Sequence, residues 1–569
     1  MKLAMIILCL FGFIGVNGQR YSNLNVFEGE GGQDQTQILV DQNNFYSLNY
    51  IFEDSLFLNK SFVASVADSN SSSLVLSKFE HNVAVKHIHL ESYVTFGRIH
   101  LVNDKIWVTG YRYSNFFIDG VLKYPAIPKV GTEIYDRGSG FILIYDKDLN
   151  LERSILLGVG EYVKDVAHAN NKYYITGNFG LHSTEMTLDG ITIYDNFSSL
   201  REMFLFTLND TTYKAETGTS FGGPGREGVD RLHVDDDGNI LLLGSTISGA
   251  FFYGSEVYPT SGNPILPSVF LIKVNKSGVP VFFHFFDAGD GVDNSNNVAS
   301  EITVDDDGNI YVGTRSPTSK FRLNNQVLHE SLNQAYLLVF LCFTPEGPLK
   351  WSKQFDSIKN KATTYNKSTL INDEIIFGGF TRQNYIINEE QIIQKNDSLE
   401  ISGIIKLDKE TGEFISYQDI VTNFSCRLLS MDLLINSNYL LYLRTSGPFR
   451  NYTNFDSFFV NKHLQRHTLI FEFNPEIPQI VSTWVEEVTD SNSEINIFPN
   501  PIQNESKLSI QSNEPIKTIE MYDINGRLIE RISAVDETTT INSNQLPGTY
   551  ILKFQMETQG FVYKKLIIQ

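Results

Sequence analysis

The clearest pattern in the chain is an apolar run that meets an Asp-Gly-Asn cluster, followed by a second apolar run that ends on glycine. It occupies residues 234–244 (VDDDGNILLLG) and recurs at residues 304–313 (VDDDGNIYVG). Asp, Asn and Gly tolerate the positive φ angles of tight turns, so the pattern predicts a β-hairpin. A calcium loop of the EF-hand type would space its carboxylates at alternate positions and end in Glu, so we interpret the aspartates as turn residues.

Weaker copies of this hairpin give the chain an internal repeat. The glycines that end the copies lie 67, 67, 69 and 65 residues apart, at Gly110, Gly177, Gly244, Gly313 and Gly378. A second apolar strand recurs in phase, with equivalent positions at Lys78, Ile144, Thr207, Lys273, Cys342, Lys406 and Glu472. A short Phe-rich hairpin lies between the two features in most copies. The sequence therefore predicts seven all-β units of about 66 residues.

Seven units that cannot bury their apolar faces alone can stack linearly or close into a ring. Seven lies within the usual range of propeller blades, and a ring hides the end faces that a linear solenoid must cap. We therefore predict an all-β fold, a seven-bladed β-propeller over residues 19–487. Two segments are candidates for the strand that completes the ring, residues 24–27 and residues 479–485.

The order of these features resembles a known repeat. A hairpin with Asp-x-x-Gly-Asn, a Phe-rich hairpin, an apolar strand ending in Lys-x-Asp/Asn, a Gly turn and a further strand follow one another, as in residues 403–412 (GIIKLDKETG) and 348–354 (PLKWSKQ). This arrangement is similar to the SBBP-type β-propeller repeat of bacterial surface and secreted proteins. The resemblance covers roughly residues 20–487.

The first residues have the pattern of a secretory signal peptide. Lys2 provides a positive charge, residues 3–16 are mainly apolar, and small or apolar residues precede a cut before Gln19, so residues 1–18 are the predicted signal peptide. No later stretch reaches about 18 uninterrupted apolar residues, so no transmembrane helix is predicted. We expect the mature protein to be soluble and exported.

Composition changes after a polar linker at residues 488–494. Residues 495–569 contain short alternating strands separated by Pro, Asn and Gly, which predict a small C-terminal β-sandwich. The motifs are Pro499, Asn500, Pro501, Asp523, Gly526, Gly548, Tyr550, Lys565 and Leu566. In this order they resemble the C-terminal sorting domain of the type IX secretion system in Bacteroidetes. The resemblance implies passage across the outer membrane by that machinery, then surface attachment or release.

Charge and cysteine content exclude some functions. The formal net charge of −21 argues against a nucleic acid or an anionic membrane surface as the main partner. Three cysteines are too few for a disulfide framework, and Cys342 and Cys426 are interpreted as buried thiols, with a disulfide as the less favoured alternative. No cofactor is predicted, although this acidity would suit bound calcium without requiring it.

No catalytic constellation is present in the sequence. It has no His-Glu-x-x-His, nucleophile elbow, phosphate-binding glycine loop or paired-cysteine metal site. His87 and His89 share one face of a predicted strand, but no third metal ligand is identifiable. Loops on a rigid scaffold usually carry binding, and the inter-blade loops fall on the side opposite the Asp-Gly-Asn turns. On this rim the candidate contacts are Arg226, Asp230, Asp290 and Asp293.

These observations favour an exported binding module for a glycan or a surface-protein ligand. A structural or adhesive surface protein without a small ligand is the first alternative, and a rim without a deep pocket would favour it. A propeller-based carbohydrate hydrolase or lyase is the second, and it would need two carboxylates about 5 to 9.5 Å apart at the axial end of the ring. An enzyme is the least favoured of the three.

Overall fold

The computed structural model describes most of the repeats and part of the C-terminal region. The described residues are 21–28, 37–41, 44–52, 55–58, 61–65, 72–81, 83–126, 138–180, 184–195, 201–225, 227–260, 268–287, 298–316, 319–331, 337–357, 363–381, 385–387, 390–391, 401–420, 426–433, 439–445, 454–455, 458–459, 467–473, 495–498, 507–512, 515–523, 528–535, 538–542, 548–556 and 561–568. Residues 1–18, the predicted signal peptide, lie outside this set.

All secondary-structure elements of the described residues are β-strands, numbered here in chain order. The strands up to residue 260 are β1 (Tyr21–Glu28), β2 (Gln37–Asp41), β3 (Asn44–Phe52), β4 (Ser55–Leu58), β5 (Ser61–Ser65), β6 (Ser72–Glu80), β7 (Val83–Ser92), β8 (Val94–Val102), β9 (Lys105–Arg112), β10 (Phe116–Ile118), β11 (Val121–Tyr124), β12 (Ser139–Tyr145), β13 (Leu151–Val159), β14 (Tyr162–Ala169), β15 (Lys172–Phe179), β16 (Glu185–Leu188), β17 (Ile191–Tyr194), β18 (Glu202–Asn209), β19 (Ala215–Gly222), β20 (Glu227–Val234), β21 (Ile240–Thr246), β22 (Ala250–Tyr253) and β23 (Glu256–Pro259).

The remaining strands are β24 (Ser268–Val274), β25 (Pro280–Asp287), β26 (Val298–Val304), β27 (Ile310–Ser316), β28 (Lys320–Leu323), β29 (Gln326–Glu330), β30 (Leu337–Phe343), β31 (Leu349–Ser357), β32 (Thr363–Ile371), β33 (Glu374–Thr381), β34 (Tyr385–Ile387), β35 (Glu390–Gln391), β36 (Ile401–Asp408), β37 (Phe414–Ile420), β38 (Cys426–Leu433), β39 (Tyr439–Thr445), β40 (Asn454–Phe455), β41 (Phe458–Phe459), β42 (His467–Phe473), β43 (Ile495–Phe498), β44 (Lys507–Ser512), β45 (Ile516–Asp523), β46 (Leu528–Val535), β47 (Thr538–Asn542), β48 (Gly548–Met556) and β49 (Phe561–Ile568).

The chain divides into two compact units, Met1–Pro478 and Gln479–Gln569. Within the described part of the first unit, seven sheets each contain a run of four antiparallel strands. These runs are β2-β3-β6-β7, β8-β9-β12-β13, β14-β15-β18-β19, β20-β21-β24-β25, β26-β27-β30-β31, β32-β33-β36-β37 and β38-β39-β42-β1. We number the runs 1 to 7 and call the first strand of each run its leading strand. The predicted all-β fold is thus confirmed, and the equivalent positions of the second feature all lie on the third strand of a run.

The predicted hairpin turns are present between the first two strands of these runs. Gly238 and Gly308 have φ angles of 82° and 79°, the left-handed conformation that glycine adopts without strain. One turn is closed by the Asp235 carboxylate, which accepts hydrogen bonds from the backbone N–H of Asn239 at 2.8 Å and from its side-chain amide at 2.8 Å. Asp235 therefore acts as a turn residue, as the sequence predicts.

In the best-described copies, a steric constraint explains why the hairpin ends on glycine. A Cβ at Gly177 would lie 1.9 Å from the Tyr162 carbonyl oxygen, and one at Gly244 would lie 2.3 Å from that of Gly228. In both runs the leading strand approaches its neighbour too closely for any side chain. The repeated glycine is therefore a packing requirement of the hairpin rather than only a turn signal.

Most of the short Phe-rich hairpins extend the sheet of the preceding run. β10–β11 joins β7, β22–β23 joins β19, β28–β29 joins β25, and β34–β35 joins β31. The hairpin β4–β5 similarly joins β1. Each of these hairpins therefore ties its own run to another run through backbone hydrogen bonds, a connection that the sequence did not predict.

The strand β1 pairs with β42, although the two are at opposite ends of the first unit. Tyr21 is opposite Phe473 and Glu28 is opposite His467 in this antiparallel pair. Leading strands of consecutive runs lie side by side, and β2 also lies beside β38. Of the two candidate segments for the completing strand, residues 24–27 lie in β1 and pair with β42, and residues 479–485 lie outside the described residues.

The core lies between neighbouring sheets. One cluster joins runs 2 and 3 through the fully buried Trp107, Tyr173 and Phe204. Similar clusters join runs 3 and 4, runs 4 and 5, and runs 5 and 6. Cys342 is a free, buried thiol, as predicted. The side chain of Cys426 is not among those that the structure describes.

The described part of the second unit consists of two antiparallel sheets, β43-β44-β47 and β46-β45-β48-β49. Two sheets are what the predicted sandwich requires. None of the described elements is a helix long and apolar enough to cross a membrane.

Candidate ligand site

The leading strands of runs 3 to 7 carry an extra residue at corresponding positions. The strand register shifts by one residue between Val163 and Asp165, and again between Val229 and Arg231. The same shift occurs in β26, β32 and β38. These are β-bulges, which re-aim side chains and are frequent beside functional sites. The extra residues in the first two strands are Lys164 and Asp230.

Arg98 connects three runs through two of these bulges. It lies on β8, and its Nη1 donates hydrogen bonds to the Lys164 carbonyl oxygen in run 3 at 2.9 Å and to the Asp230 carbonyl oxygen in run 4 at 2.9 Å. A bulge leaves such carbonyl groups outside the regular ladder, so a guanidinium group can satisfy both. Burial lowers the pKa of Arg98, an effect increased by the nearby Arg231.

Asp165 lies at the centre of the same region. Its Oδ1 is 3.1 Å from His100 Nδ1, and its Oδ2 accepts a hydrogen bond from the backbone N–H of Leu232 in the next run at 2.8 Å. Burial lowers the pKa of His100, so a neutral imidazole donates this hydrogen bond at neutral pH. Burial would raise the pKa of Asp165, but the His100 hydrogen bond and the positive charges of Arg231 and Arg98 outweigh it, and the pKa falls to about 2.

Charges of opposite sign alternate from one leading strand to the next. Arg98, Asp165, Arg231, Glu301 and Lys367 each lie three or four residues before the end of their strands. Arg231 forms an ion pair with Glu301 in run 5, with Nη2 3.0 Å from Oε2. The charge network, defined as Arg98, His100, Lys164, Asp165, Asp230, Arg231 and Glu301, therefore joins runs 2 to 5. Of these residues, the sequence pattern indicated only Asp230.

Two further carboxyl groups are buried at the starts of the neighbouring strands β14 and β20. Glu161 accepts a hydrogen bond from the Gly158 backbone N–H at 2.6 Å, and Glu227 accepts hydrogen bonds from the Thr246 and Ser248 hydroxyl groups. Burial raises the pKa of each carboxyl group to about 7, although the hydrogen bonds act in the opposite direction. Both therefore titrate near neutral pH in the folded protein.

The raised pKa values of these two glutamates predict that the protein loses stability as the pH rises. Their pKa values are higher in the folded than in the unfolded chain, so folding favours the protonated forms, and this contribution is lost as the pH rises from about 4.5 through 7. We expect the unfolding free energy to fall by about 2 kcal/mol for each group between pH 5 and 8.5. Urea unfolding followed by tryptophan fluorescence at both pH values measures the effect.

The control separates these two groups from the rest of the chain. The double variant Glu161→Gln with Glu227→Gln should lack this fall, and its stability should stay level or rise with pH, because burial lowers the pKa of histidines such as His100. Replacing the exposed Glu413 by Gln should leave the wild-type slope unchanged. An equally steep slope in the double variant would assign the pH dependence to other groups.

Only one of the four predicted rim residues lies within the described structure. Arg226, Asp290 and Asp293 lie outside it. Asp230 was placed at the end of an inter-blade loop, but it lies inside β20, because the strand continues through a bulge instead of ending there. Its carbonyl oxygen accepts hydrogen bonds from both Arg98 and Arg231.

The described sorting-motif residues meet in one sheet. Asp523 pairs with Tyr550, Tyr550 pairs with Leu566, and Ile551 pairs with Lys565. Gly548 begins β48. Pro499, Asn500, Pro501 and Gly526 lie outside the described residues.

The histidine pair of β7 lies apart from the charge network. Ser77 Oγ is 2.8 Å from His87 Nδ1, and the backbone N–H of His89 donates to Asp119 Oδ1 at 2.8 Å. Burial lowers the pKa of both imidazoles. Within the described residues, no group of three or more His, Cys, Asp or Glu side chains is arranged to hold a metal ion.

Comparison with known proteins identifies the C-terminal region. Residues 496–569 match the secretion system C-terminal sorting domain. The chain is a cargo of the type IX secretion system. It is therefore delivered to the cell surface or released, and the secretion machinery handles it through this domain. The resemblance of the repeats to the SBBP type stays a prediction, and no curated protein matches the chain.

Three of the solved structures that match the chain share limited similarity with it. PorZ, an essential bacterial surface component of the type IX secretion system of Porphyromonas gingivalis, is 8% identical, with 96% of this chain and 100% of PorZ covered and a TM-score of 0.17. A glucose dehydrogenase is 10% identical, with 60% and 94% covered and a TM-score of 0.27. Dimeric latent PorU from Porphyromonas gingivalis is 13% identical, with 53% and 31% covered and a TM-score of 0.12. At these TM-scores, the likenesses establish neither fold nor function.

Proposed function

We propose that the first unit is a seven-bladed β-propeller that acts, after export, as a binding module for a glycan or a surface protein. Its ligand would bind on the face opposite the Asp-Gly-Asn turns, where the leading strands begin. The predicted contacts are Arg226, Asp230, Asp290 and Asp293, of which only Asp230 lies within the described residues, inside β20.

The strand pairing supports the ring. Seven four-stranded runs of similar length follow one another, and β1 completes the last run by pairing with β42. β2 lies beside β38, so the first and last runs are neighbours. Completion of the last blade by the first strand of the chain is one way for a propeller to avoid open sheet edges.

The hydrogen bonds of Arg98 are the observation that best supports a binding site. One guanidinium group on run 2 hydrogen-bonds to bulged residues of runs 3 and 4, so charged groups from several runs converge midway along the leading strands, below the proposed ligand face. Convergent polar groups on rigid strands are typical of ligand sites. Network side chains keep partial contact with solvent, with exposed fractions of 11% for His100 and 18% for Arg231.

The test is a binding screen of the full exported chain against glycans, polysaccharides and surface proteins, with and without calcium. We expect saturable binding that falls at least tenfold in the double variant Arg226→Ala with Asp293→Ala. The matched double variant Asp236→Ala with Asp306→Ala changes two exposed turn residues at the other end of the strands and should bind normally.

Two results would overturn the proposal. If the chain binds none of these ligands in either condition, a structural or adhesive role without a small ligand replaces it. If both double variants lose binding equally, the ligand does not occupy the predicted face. Release of product from a bound polysaccharide would instead identify an enzyme.

A further inference from the structure

A cluster of four tyrosines spans runs 2 and 3 at the end of the strands opposite the turns. The ring centroids of Tyr93 and Tyr113 are 5.6 Å apart, those of Tyr111 and Tyr113 are 5.2 Å apart, and those of Tyr111 and Tyr162 are 5.7 Å apart. Tyr93 immediately precedes β8, Tyr113 immediately follows β9, and Tyr162 begins β14. Tyr93, Tyr113 and Tyr162 are half-buried, so each keeps an accessible part. This tyrosine cluster therefore lies on the proposed ligand face.

Two cations lie over the last ring of this cluster. Lys164 Nζ is 5.4 Å from the centroid of Tyr162, and Arg201 Cζ is 5.6 Å from the same centroid. Cations at such distances are attracted to the ring face. Arg201 immediately precedes β18, whose first residue pairs with the end of β15, so it too is at this end of the strands.

Several positive charges lie around Lys164. The formal net charge of the chain is −21, yet Arg98, Arg201 and Arg231 all lower the pKa of Lys164, and Asp230 acts in the opposite direction. Burial, together with the first of these guanidinium groups, lowers the pKa of Lys164 to about 8. A bound anion would relieve this repulsion and receive charge-assisted hydrogen bonds.

We propose that the Tyr162–Lys164–Arg201 region binds an acidic sugar unit of an anionic glycan. The two cations would bind its carboxylate or sulfate group, and the adjoining, half-buried rings of Tyr93 and Tyr113 would pack against the apolar C–H groups of the sugar. Aromatic side chains bearing a polar group suit a ligand that is partly apolar and partly wet. The inference rests on the proposed binding function and names the ligand class for it.

The experiment compares three polymers of similar length with the full chain, a polyuronate, a sulfated polysaccharide and a neutral polysaccharide. We expect the acidic polymers to bind at least tenfold more tightly than the neutral one, and their binding to weaken as salt rises. Lys164→Gln and Arg201→Gln should each weaken acidic binding about tenfold, because each removes a charge-assisted hydrogen bond. Circular dichroism checks that the variants fold.

The control variant Lys214→Gln removes an exposed lysine from the turn end of run 3 and should bind like the wild type. The two acidic polymers distinguish a carboxylate from a sulfate as the recognised group. Equal binding of the neutral polymer, or no loss in folded Lys164→Gln and Arg201→Gln, would overturn the inference and leave the binding function in place. If no polymer binds but a surface protein does, the glycan assignment fails and the module binds protein.

Discussion

Replacing Gly177 by alanine is expected to destabilise the first unit by about 3 kcal/mol or more. The added Cβ would lie 1.9 Å from the Tyr162 carbonyl oxygen and 2.8 Å from Phe204 Cζ, so the leading strand itself must move. The space available for a Cβ at Gly177, Gly244 and Gly313 predicts a graded series of losses in unfolding free energy. Gly244→Ala, with a carbonyl oxygen at 2.3 Å, should cost nearly as much, and Gly313→Ala, with its nearest atom at 3.3 Å, should cost less.

Chemical unfolding of the full chain followed by tryptophan fluorescence measures this series. Trp107 and Trp351 lie in the first unit, so the signal reports mainly on it. Gly249→Ala is the matched control, because a Cβ there meets nothing within 4 Å and its backbone has no positive φ. Equal stability of the Gly177 and Gly249 variants would contradict the steric explanation of the repeat.

Replacing Asp165 by alanine is expected to destabilise the first unit by about 3 kcal/mol or more. The change leaves the buried Leu232 N–H without its acceptor and removes the hydrogen-bond partner of His100, and breaking a buried pair from one side is strongly destabilising. Asp165→Asn keeps an acceptor oxygen and should cost less. The exposed turn variant Asp236→Ala should change the unfolding free energy by no more than about 0.5 kcal/mol.

The pH dependence gives Asp165 a second signature. Its pKa is lower in the folded than in the unfolded chain, so its contribution is full above about pH 4 and is lost as the pH falls toward 2. The wild type should therefore lose more stability between pH 4 and 2 than Asp165→Asn does. If both proteins lose the same stability between pH 4 and 2, the charge of Asp165 does not stabilise the fold.

The repeat could be predicted from sequence because its signals are local. Asp235 and Gly238 define a turn through bonds and φ angles within five residues, and this chemistry repeats along the chain. The same locality makes the short hairpins recognisable. Their attachment to the preceding run was not predictable, because it pairs backbone groups of two runs, as in Phe221 with Tyr253, and nothing near either residue indicates the other.

The charge network was missed because its partners are far apart in sequence. Arg98 and Asp230 are 132 residues apart, and nothing near either residue indicates the other. One signal was available, since Arg98, Asp165 and Arg231 interrupt apolar strands at nearly the repeat spacing with alternating charge. Asp230 is a candidate from sequence because it follows the Gly-rich residues 222–228, which predict a loop, but a bulge keeps it within the strand.

The pairing of β1 with β42 sets an order on folding. The two strands are about 440 residues apart, so their contact must wait until nearly all the first unit has been synthesised. Closing so long a loop is entropically unfavourable until the intervening runs have folded and shortened it. The sorting domain begins soon after β42, so the last contact of the repeats and the address for secretion become available at almost the same stage of synthesis.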